Sequence, residues 1–527
     1  MPGHVQVVIV GGGPVGVGLA VELGQRGVSC IVVERHLGVG RIPKGQNLTQ
    51  RTLEHFYFWH CVEELRGRRL LPPGYPIGGL TAYRDFRSDY WHVTAGLERI
   101  RDYYFQRNER LPQFLTEEVL RERMAELPSV EARFGWMAKE ISHDGAGVRV
   151  RIAGEEWPYE EDEITAEYLV GCDGARSLVR ESVGIEREGP NYDQKMLLAV
   201  FRSTELHDAL TRYPERTTYR VMKPEHRGIW QFFGRVEVGQ TWFYHGPVPW
   251  ETKTDDREEM KRLIYEAAGF EFPIEFSHVG FWELRIEAAT TYRAGRTFIA
   301  GDAAHSHPPY GGFGLNTGLE DVANLGWKLA AALEGWGGDQ LLESYSLERQ
   351  PVFKETGEEV IAGWIATERD FLERYSPERN RAEFEAEWDK RTQGDTAAPT
   401  YEPNYEGSPV VFGPPGAKVG AEGRHSFEAR AGHHLAPVVL SSGRNVFEEL
   451  STGFTLLDLA GGAHDAFSED AKALGVPLSV VTDTYEGSRA ELGARLVLIR
   501  PDQYVAWCGD ESPSDPAAVL RRAAGQD

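Results

Sequence analysis

The chain is 527 residues long, with 81 acidic against 57 basic side chains and a formal charge of −24. At roughly 150 residues per domain, that length implies two to four domains rather than one hydrophobic core. So acidic a surface disfavours nucleic acid and anionic lipid, while 41% hydrophobic and 11% aromatic content excludes a disordered chain.

Val5–Val10 is a short β-branched run that suits a buried parallel strand. It has no basic segment before it, so it is not a signal peptide. Helical spacing over Gly16–Arg26, closed by Gly27, and a second strand over Ser29–Glu34 complete a βαβ unit. A long helical stretch is predicted from Thr49 to the basic residues Arg66, Arg68 and Arg69. Leu71-Pro72-Pro73-Gly74-Tyr75-Pro76 then breaks the pattern. Thr116–Ala125 is predicted as a helix, and Gly147–Ile152 and Glu167–Cys172 as strands. From Tyr192 to Phe281 the pattern becomes alternating and aromatic-rich, with Gly228–Val236 and Gln240–Gly246 predicted to pair as an antiparallel hairpin. Thr297–Ala300 is a further buried strand, followed by a glycine-rich loop and a helix from Asn316 to Leu333.

Glu358–Lys390 is charged and helical, a solvated helix face, and Thr392–Pro415 is predicted to be a linker. The last unit alternates strands (Phe454–Leu459, Leu478–Thr482, Arg495–Pro501, Tyr504–Cys508) with helices at Asp465–Leu474 and Pro516–Ala524. Cys30, Cys61, Cys172 and Cys508 form no CxxC pair, which predicts a reducing compartment, no disulfide frame and no metal site. No run approaches the roughly 18 apolar residues of a membrane span. A soluble, cytoplasmic protein with no membrane and no nucleic-acid partner is expected.

Gly11-Gly12-Gly13-Pro14-Val15-Gly16 satisfies GxGxxG between a strand and a helix. Gly11 permits the tight turn, Gly13 lets backbone approach a pyrophosphate, and Gly16 lets helix pack on strand. Glu34 ends the second strand, where a carboxylate accepts from adenosine ribose hydroxyls. The motif marks a dinucleotide without separating FAD from NAD. Two more strands end in carboxylates. Tyr168–Cys172 runs into Asp173-Gly174, with Ser177 and Arg180 at helical spacing. Thr297–Ala300 runs into Gly301-Asp302, then Pro308-Pro309 and Gly311-Gly312-Phe313-Gly314-Leu315-Asn316. Amides of Gly314, Leu315 and Asn316 open the following helix, whose positive end suits the negative charge of a reduced flavin.

In this order and at these separations the three motifs resemble the single-component FAD-dependent aromatic hydroxylases, the family of para-hydroxybenzoate, phenol and polyketide hydroxylases, over about residues 5–360. The C-terminal unit resembles their thioredoxin-like appendage, here without CxxC, and a structural or homo-oligomer-forming role is expected of it. The resemblance implies an α/β fold. A discontinuous Rossmann-like FAD-binding domain (1–75, 99–190, 282–390) would carry a mixed antiparallel substrate-binding domain (76–98, 191–281), a linker (391–415) and the thioredoxin-like domain (416–527). It departs from the family at Lys44, where Arg is frequent, and at Phe313, where Gln is frequent. Gln113 matches a glutamine that touches the FAD pyrophosphate. Pro14, Val15, Arg35 and Pro309 complete the candidate cofactor set with Gly11, Gly13, Gly16, Glu34, Lys44, Gln113, Asp173, Arg180, Asp302 and Gly314–Asn316.

The resemblance further implies noncovalent FAD, reduction by NADH or NADPH, and transfer of one oxygen of dioxygen to a phenolic or fused aromatic through a flavin C4a-hydroperoxide. The single GxGxxG, with no second Rossmann unit for the nicotinamide, argues against two-dinucleotide flavoenzymes. The absence of a GxSxG elbow or metal-ligand spacing agrees with a reaction that needs neither nucleophile nor metal. Candidate substrate contacts are Trp230, Phe232, Trp242 and Pro308, with Tyr244 or His245 assisting the phenol. Adjacent strand residues point to opposite faces, so only one of that pair can face the ring. Three rivals stay open: Baeyer–Villiger-type insertion, antibiotic-inactivating oxidation, and a flavin-binding module without oxygen chemistry.

Overall fold

The computed structural model describes residues 3–94, 97–143, 145, 147–155, 160–393 and 400–527. Its frame is a parallel sheet in which Thr297–Ile299, Glu161–Gly171, Gly3–Val10, Cys30–Glu34 and Val130–Phe134 lie side by side in that order. Val7, Val8, Ile9, Ile31, Val32, Leu169 and Val170 are all buried, as unbroken aliphatic runs must be when layers cover both faces. The first strand lies inside the sheet and the chain crosses out to either side of it. That order opens a crevice at the carboxyl ends. The Pro14–Gly24 helix packs on Phe313–Leu333 at glycine contacts: a Cβ on Gly18 would lie 3.2 Å from Leu319.

A second sheet takes the order Glu275–Arg285, Asn191–Arg202, Thr241–Val248, Gln231–Arg235, Thr218–Met222, Gly79–Tyr83, Trp91–Thr94. Period-two alternation splits its side chains. Leu197, Ala199, Phe201, Tyr219, Phe233, Trp242 and Tyr244 face the Arg257–Ala268 helix and pack on Met260 and Ile264. Met196, Leu198, Val200, Phe232 and Phe243 face the other way, onto Tyr310 and Phe313 of the glycine-rich loop.

The C-terminal unit is a βαβ (Phe454–Asp458, His464–Leu474, Leu478–Thr482) followed by an antiparallel pair, Leu496–Ile499 with Val505–Gly509, and the helix Pro516–Ala523 capped by Asp515. This is the thioredoxin-like order. It packs on the back of Phe313–Leu333 through Trp327, Phe454, Leu456 and Leu498. Beside that contact a buried ionic cluster joins Lys328 to Glu348 (2.6 Å), Glu348 to Arg500 (2.7 Å) and Arg500 to Asp502 (2.6 Å).

Several predicted elements differ. The long helix from Thr49 is two helices, Gln50–Phe58 and Val62–Gly67, because His60 takes a left-handed conformation (φ 58) between them. The Thr116 and Asn316 helices each begin three residues earlier, at Gln113 and Phe313, with Pro112 and Gly312 as caps. The Glu358–Lys390 run is not wholly solvated: Phe371, Leu372, Phe384 and Trp388 are buried, and Glu368 pairs with Arg220. The stretch expected as a linker is packed from residue 401 onward, where Tyr401–Asn404 pairs with Gly420–Glu422 and Tyr405 is buried. Residues 394–399 of that expectation lie outside the described set.

Candidate functional site

All three motifs meet at one edge of the parallel sheet. Gly11 has φ 104, and a Cβ there would lie 2.2 Å from the Cys172 carbonyl oxygen, so the first turn is pressed against the second motif. A Cβ on Gly16 would lie 1.9 Å from the Gly11 oxygen, which seats the helix on the strand. Gly13 differs. Its backbone is extended (φ −73, ψ −178) and its Cβ would meet no atom within 4 Å. That open space lies over the start of Pro14–Gly24, whose first amides have no acceptor within the helix. Glu34 stands beside it, accepting from the Gly12 amide at 2.7 Å and the His36 amide at 2.8 Å. Arg35 is exposed and donates from Nε to His36.

Asp173 and Arg180 brace the crevice rather than reach into it. The Asp173 carboxylate accepts from the Ser177 hydroxyl (2.5 Å) and the Val179 amide (3.2 Å), while burial pushes its pKa up. Buried Arg180 donates to the carbonyls of Ala175 and Ala303, both at 3.1 Å, and so ties the second motif to the third. Asp302 is exposed at the end of Thr297–Ile299, its side chain left to solvent. The preceding amide, Gly301, donates to buried Asp321 (3.1 Å), which also holds His305 (2.7 Å) and Arg349 (2.9 Å). Val15 fits between Gly301 and Gly318, whose Cβ positions lie 3.0 and 2.7 Å from it.

Asn316 clamps the glycine-rich loop. Its amide donates to the Asn47 (2.8 Å) and Gly312 (2.6 Å) carbonyls, and its oxygen accepts from the Thr49 amide (2.9 Å) and Thr52 hydroxyl (2.6 Å). The side chain is fully used, which leaves the amides of Gly314 and Leu315 as the free helix start. A Cβ on Gly45 would lie 3.4 Å from Gln113 Oε1 and 3.5 Å from Leu315, so Gln113, Leu315 and the chain carrying exposed Lys44 converge. Pro308 is buried and Pro309 half-buried; His307 donates from Nδ1 to the Pro308 carbonyl (2.6 Å) and lies against Gly314. His305 turns inward, stacked on Phe353 at 4.2 Å.

The antiparallel hairpin forms as expected, with Phe232 opposite His245 and Phe233 opposite Tyr244. Its two faces separate the candidates. Trp242 and Tyr244 are fully buried on the helix-covered face, and Gln231 donates to the Tyr244 hydroxyl (2.5 Å). Both therefore point away from the glycine-rich loop. Phe232, Phe243 and His245 face it. Trp230 stacks on Tyr310 (4.6 Å) and on Trp364 (5.6 Å), which in turn stacks on Phe313 (5.9 Å). Tyr310, Trp364 and Tyr401, the last packed against Phe313 at 4.6 Å, are the residues that sequence reasoning missed. They come from segments distant in the chain, and of the three Tyr310 alone stood near a motif.

Trp282 Nε1 donates to His245 Nδ1 at 3.2 Å, which puts the ring proton on Nε2. Burial pushes His245 down to about 3, so the imidazole is neutral and unsuited to act as a base at neutral pH. Its Nε2, Trp230 Nε1 and His307 Nε2 are buried without a hydrogen-bond partner among the described residues. Such orphans in one region mark groups waiting for a ligand. The open space at Gly13, the Glu34 carboxylate, exposed Asp302 and the free amides before an aromatic groove together fit a flavin dinucleotide. Among the described residues no cluster of three His, Cys, Asp or Glu could hold a metal, and no helix is long and apolar enough to cross a membrane.

Two family models match: an FAD binding domain over residues 4–360 and an aromatic-ring hydroxylase C-terminal domain over residues 428–526. A 4-methyl-5-nitrocatechol 5-monooxygenase from Burkholderia sp is 31% identical, over 99% of this chain and 97% of that protein. Among solved structures, flavin-dependent monooxygenase PieE in complex with FAD and substrate aligns with TM-score 0.85 at 27% identity, covering 99% of both chains. Aklavinone-11 hydroxylase with FAD and aklavinone aligns with TM-score 0.81 at 28% identity over the whole of both chains.

Proposed function

The chain belongs to the FAD-dependent aromatic-ring hydroxylases and is a flavin-dependent monooxygenase, and from that premise we propose that it uses NADH or NADPH to hydroxylate a fused or substituted phenol held between the glycine-rich loop and the aromatic hairpin. The observation that carries this reading is the convergence of the three motifs at the carboxyl end of the sheet, beside an aromatic cluster of Trp230, Phe232, Phe313 and Trp364.

Bound FAD supplies the activation of dioxygen; the rest falls to side chains. The Gly13 opening and the Pro14–Gly24 amides hold the pyrophosphate, and Glu34 holds the adenosine ribose. Gln113 and Lys44 would support the middle of the dinucleotide and Asp302 its sugar alcohol, while the Gly314 and Leu315 amides would hold the flavin end. Flat aromatic walls stack on a flat substrate and exclude water. His245, fixed as a neutral Nε2 donor by Trp282, hydrogen-bonds the phenol oxygen and orients the ring. Trp242 and Tyr244 are left to the sheet core, and Asp173 and Arg180 set the shape of the crevice. Residues 1–75, 99–190 and 282–390 thus serve the cofactor, and 76–98 with 191–281 serve the substrate. No second dinucleotide motif exists, so the nicotinamide docks only transiently.

A panel of phenols, naphthols and larger fused phenols tests the reading. A fused phenol should stimulate NAD(P)H consumption and give a product heavier by one oxygen. Consumption without oxygenated product for every member would sink it, and a ring-expanded ester would replace hydroxylation by oxygen insertion.

A further inference from the structure

The mechanism leaves the buried cation Arg110 unused. Arg110 is 4% exposed, on the short strand Glu109–Arg110 that pairs with Asn47–Leu48. Its guanidinium donates to the Asn47 side-chain oxygen and, at 3.2 Å, to the Arg235 carbonyl, while its Nε has no partner among the described residues. Both acceptors are neutral, and no carboxylate among the described residues pairs with it. Burial without a counter-charge pushes this group down to about 9, where it is still cationic at neutral pH. Beside it, within its electrostatic reach, the Tyr75 hydroxyl is likewise buried without a partner.

The place of this cation is informative. Asn47 touches the glycine-rich loop, since a Cβ on Gly312 would lie 3.2 Å from it. Arg235 and Phe243 belong to the aromatic hairpin, and the guanidinium lies 5.9 Å from the Phe243 ring on the face that meets the loop. Arg110 therefore bridges the segment beside the glycine-rich loop and the aromatic hairpin. A buried guanidinium with an unused Nε edge is a costly group to keep unless an anion completes it, and its planar fork matches a carboxylate.

We propose that Arg110, with the Tyr75 hydroxyl beside it, is a specificity-determining site for an ionised carboxylate on the aromatic substrate. The assignment rests on reading the groove as the substrate site. It makes the preferred substrate an aromatic acid rather than a neutral phenol. The other planar anion that could reach this cation is a reduced flavin ring, and the test separates the two.

Naphthoate and its uncharged isostere naphthamide would be titrated into FAD-loaded enzyme and followed by the flavin absorbance change, with the flavin midpoint potential measured in parallel. The wild type should bind naphthoate at least about tenfold tighter than naphthamide. Arg110→Met should bring that ratio close to one, and Arg110→Lys should restore part of it, with flavin content and melting temperature showing that both variants fold. The Arg110→Met potential should stay at the wild-type value. Equal binding of the two ligands by wild type overturns the inference and leaves the groove reading standing. A naphthoate preference that survives in Arg110→Met, with a lowered potential, overturns it in favour of the flavin as the anion. If neither ligand perturbs the flavin, the groove reading fails, and the inference falls with it.

Discussion

Replacing Gly11 and Gly13 by alanine, one at a time, should give opposite outcomes. At Gly11 the backbone has φ 104 and the new methyl lies 2.2 Å from the Cys172 carbonyl oxygen and 2.5 Å from its carbon. Backbone atoms cannot swing away, so the adjacent strand must shift. Strain of about 1–3 kcal/mol at such a φ, with a similar overpacking term, gives about 2–6 kcal/mol of lost stability. That should lower the melting temperature of the flavin-free protein by roughly 2–10 °C. At Gly13 the backbone is already one that alanine adopts, and the methyl meets no protein atom within 4 Å. Flavin-free Gly13→Ala should therefore match wild type within about 0.5 kcal/mol. If the pyrophosphate occupies that space, the methyl displaces it, and FAD affinity should fall by about tenfold or more, or about 1.4 kcal/mol. Thermal unfolding of stripped protein and an FAD titration by fluorescence quenching read the two effects separately. Wild-type FAD affinity in Gly13→Ala would refute the placement of the phosphates.

Asp302→Ala should cost FAD binding about 1.5–3 kcal/mol, roughly ten- to a hundredfold, because a charge-assisted hydrogen bond is lost; full flavin occupancy on dilution would reduce Asp302 to a strand end. His245→Gln should retain flavin yet oxidise NAD(P)H with release of hydrogen peroxide. Tyr244→Phe should keep coupling and lose about 1–3 kcal/mol of stability, as Gln231 loses its buried acceptor; the reverse pattern of coupling would place the wrong face of the hairpin in the site. Burial holds His245 at about 3 and His226 and His307 at about 4, against about 6.5 when unfolded. Their neutral forms are favoured in the fold, so stability is intact above the unfolded value. It falls with pH below it, as only the unfolded chain takes up protons, by up to about 1.4 kcal/mol per pH unit for each imidazole. Urea unfolding between about pH 6 and 4 should show a shallower acid slope in His245→Gln, and an unchanged slope would mean that His245 is charged in the fold.

What was legible from the chain was local. Gly11, Asp173 and Asp302 follow strand ends, Gly13 caps the first helix and Gly16 lies in its first turn, positions where backbone geometry restricts the residue type. Alternation along the hairpin assigned Trp242 and Tyr244 to one face and correctly divided Tyr244 from His245. It could not say which face meets the loop, because both faces are apolar and both are buried. The Gln113 and Phe313 helices were read three residues late because Pro112 and Gly312 cap without any side-chain signal. Arg110, Trp364 and Tyr401 carried no local mark at all. Their positions follow from strand pairing and helix packing between segments far apart in the chain. The same holds for Glu368, whose charge suggested solvent until Arg220 was seen to meet it.

The central claim is that one oxygen atom of dioxygen is delivered to an aromatic ring held between the glycine-rich loop and the hairpin. Turnover of the purified enzyme with NAD(P)H and the best fused phenol under isotopically heavy dioxygen tests it most directly, with the product read by mass spectrometry. The wild type should place one heavy oxygen on a ring carbon of the product, and His245→Gln should lose that product while still releasing peroxide. An oxygen derived from water, or a heavy oxygen placed anywhere but on the ring, would contradict it.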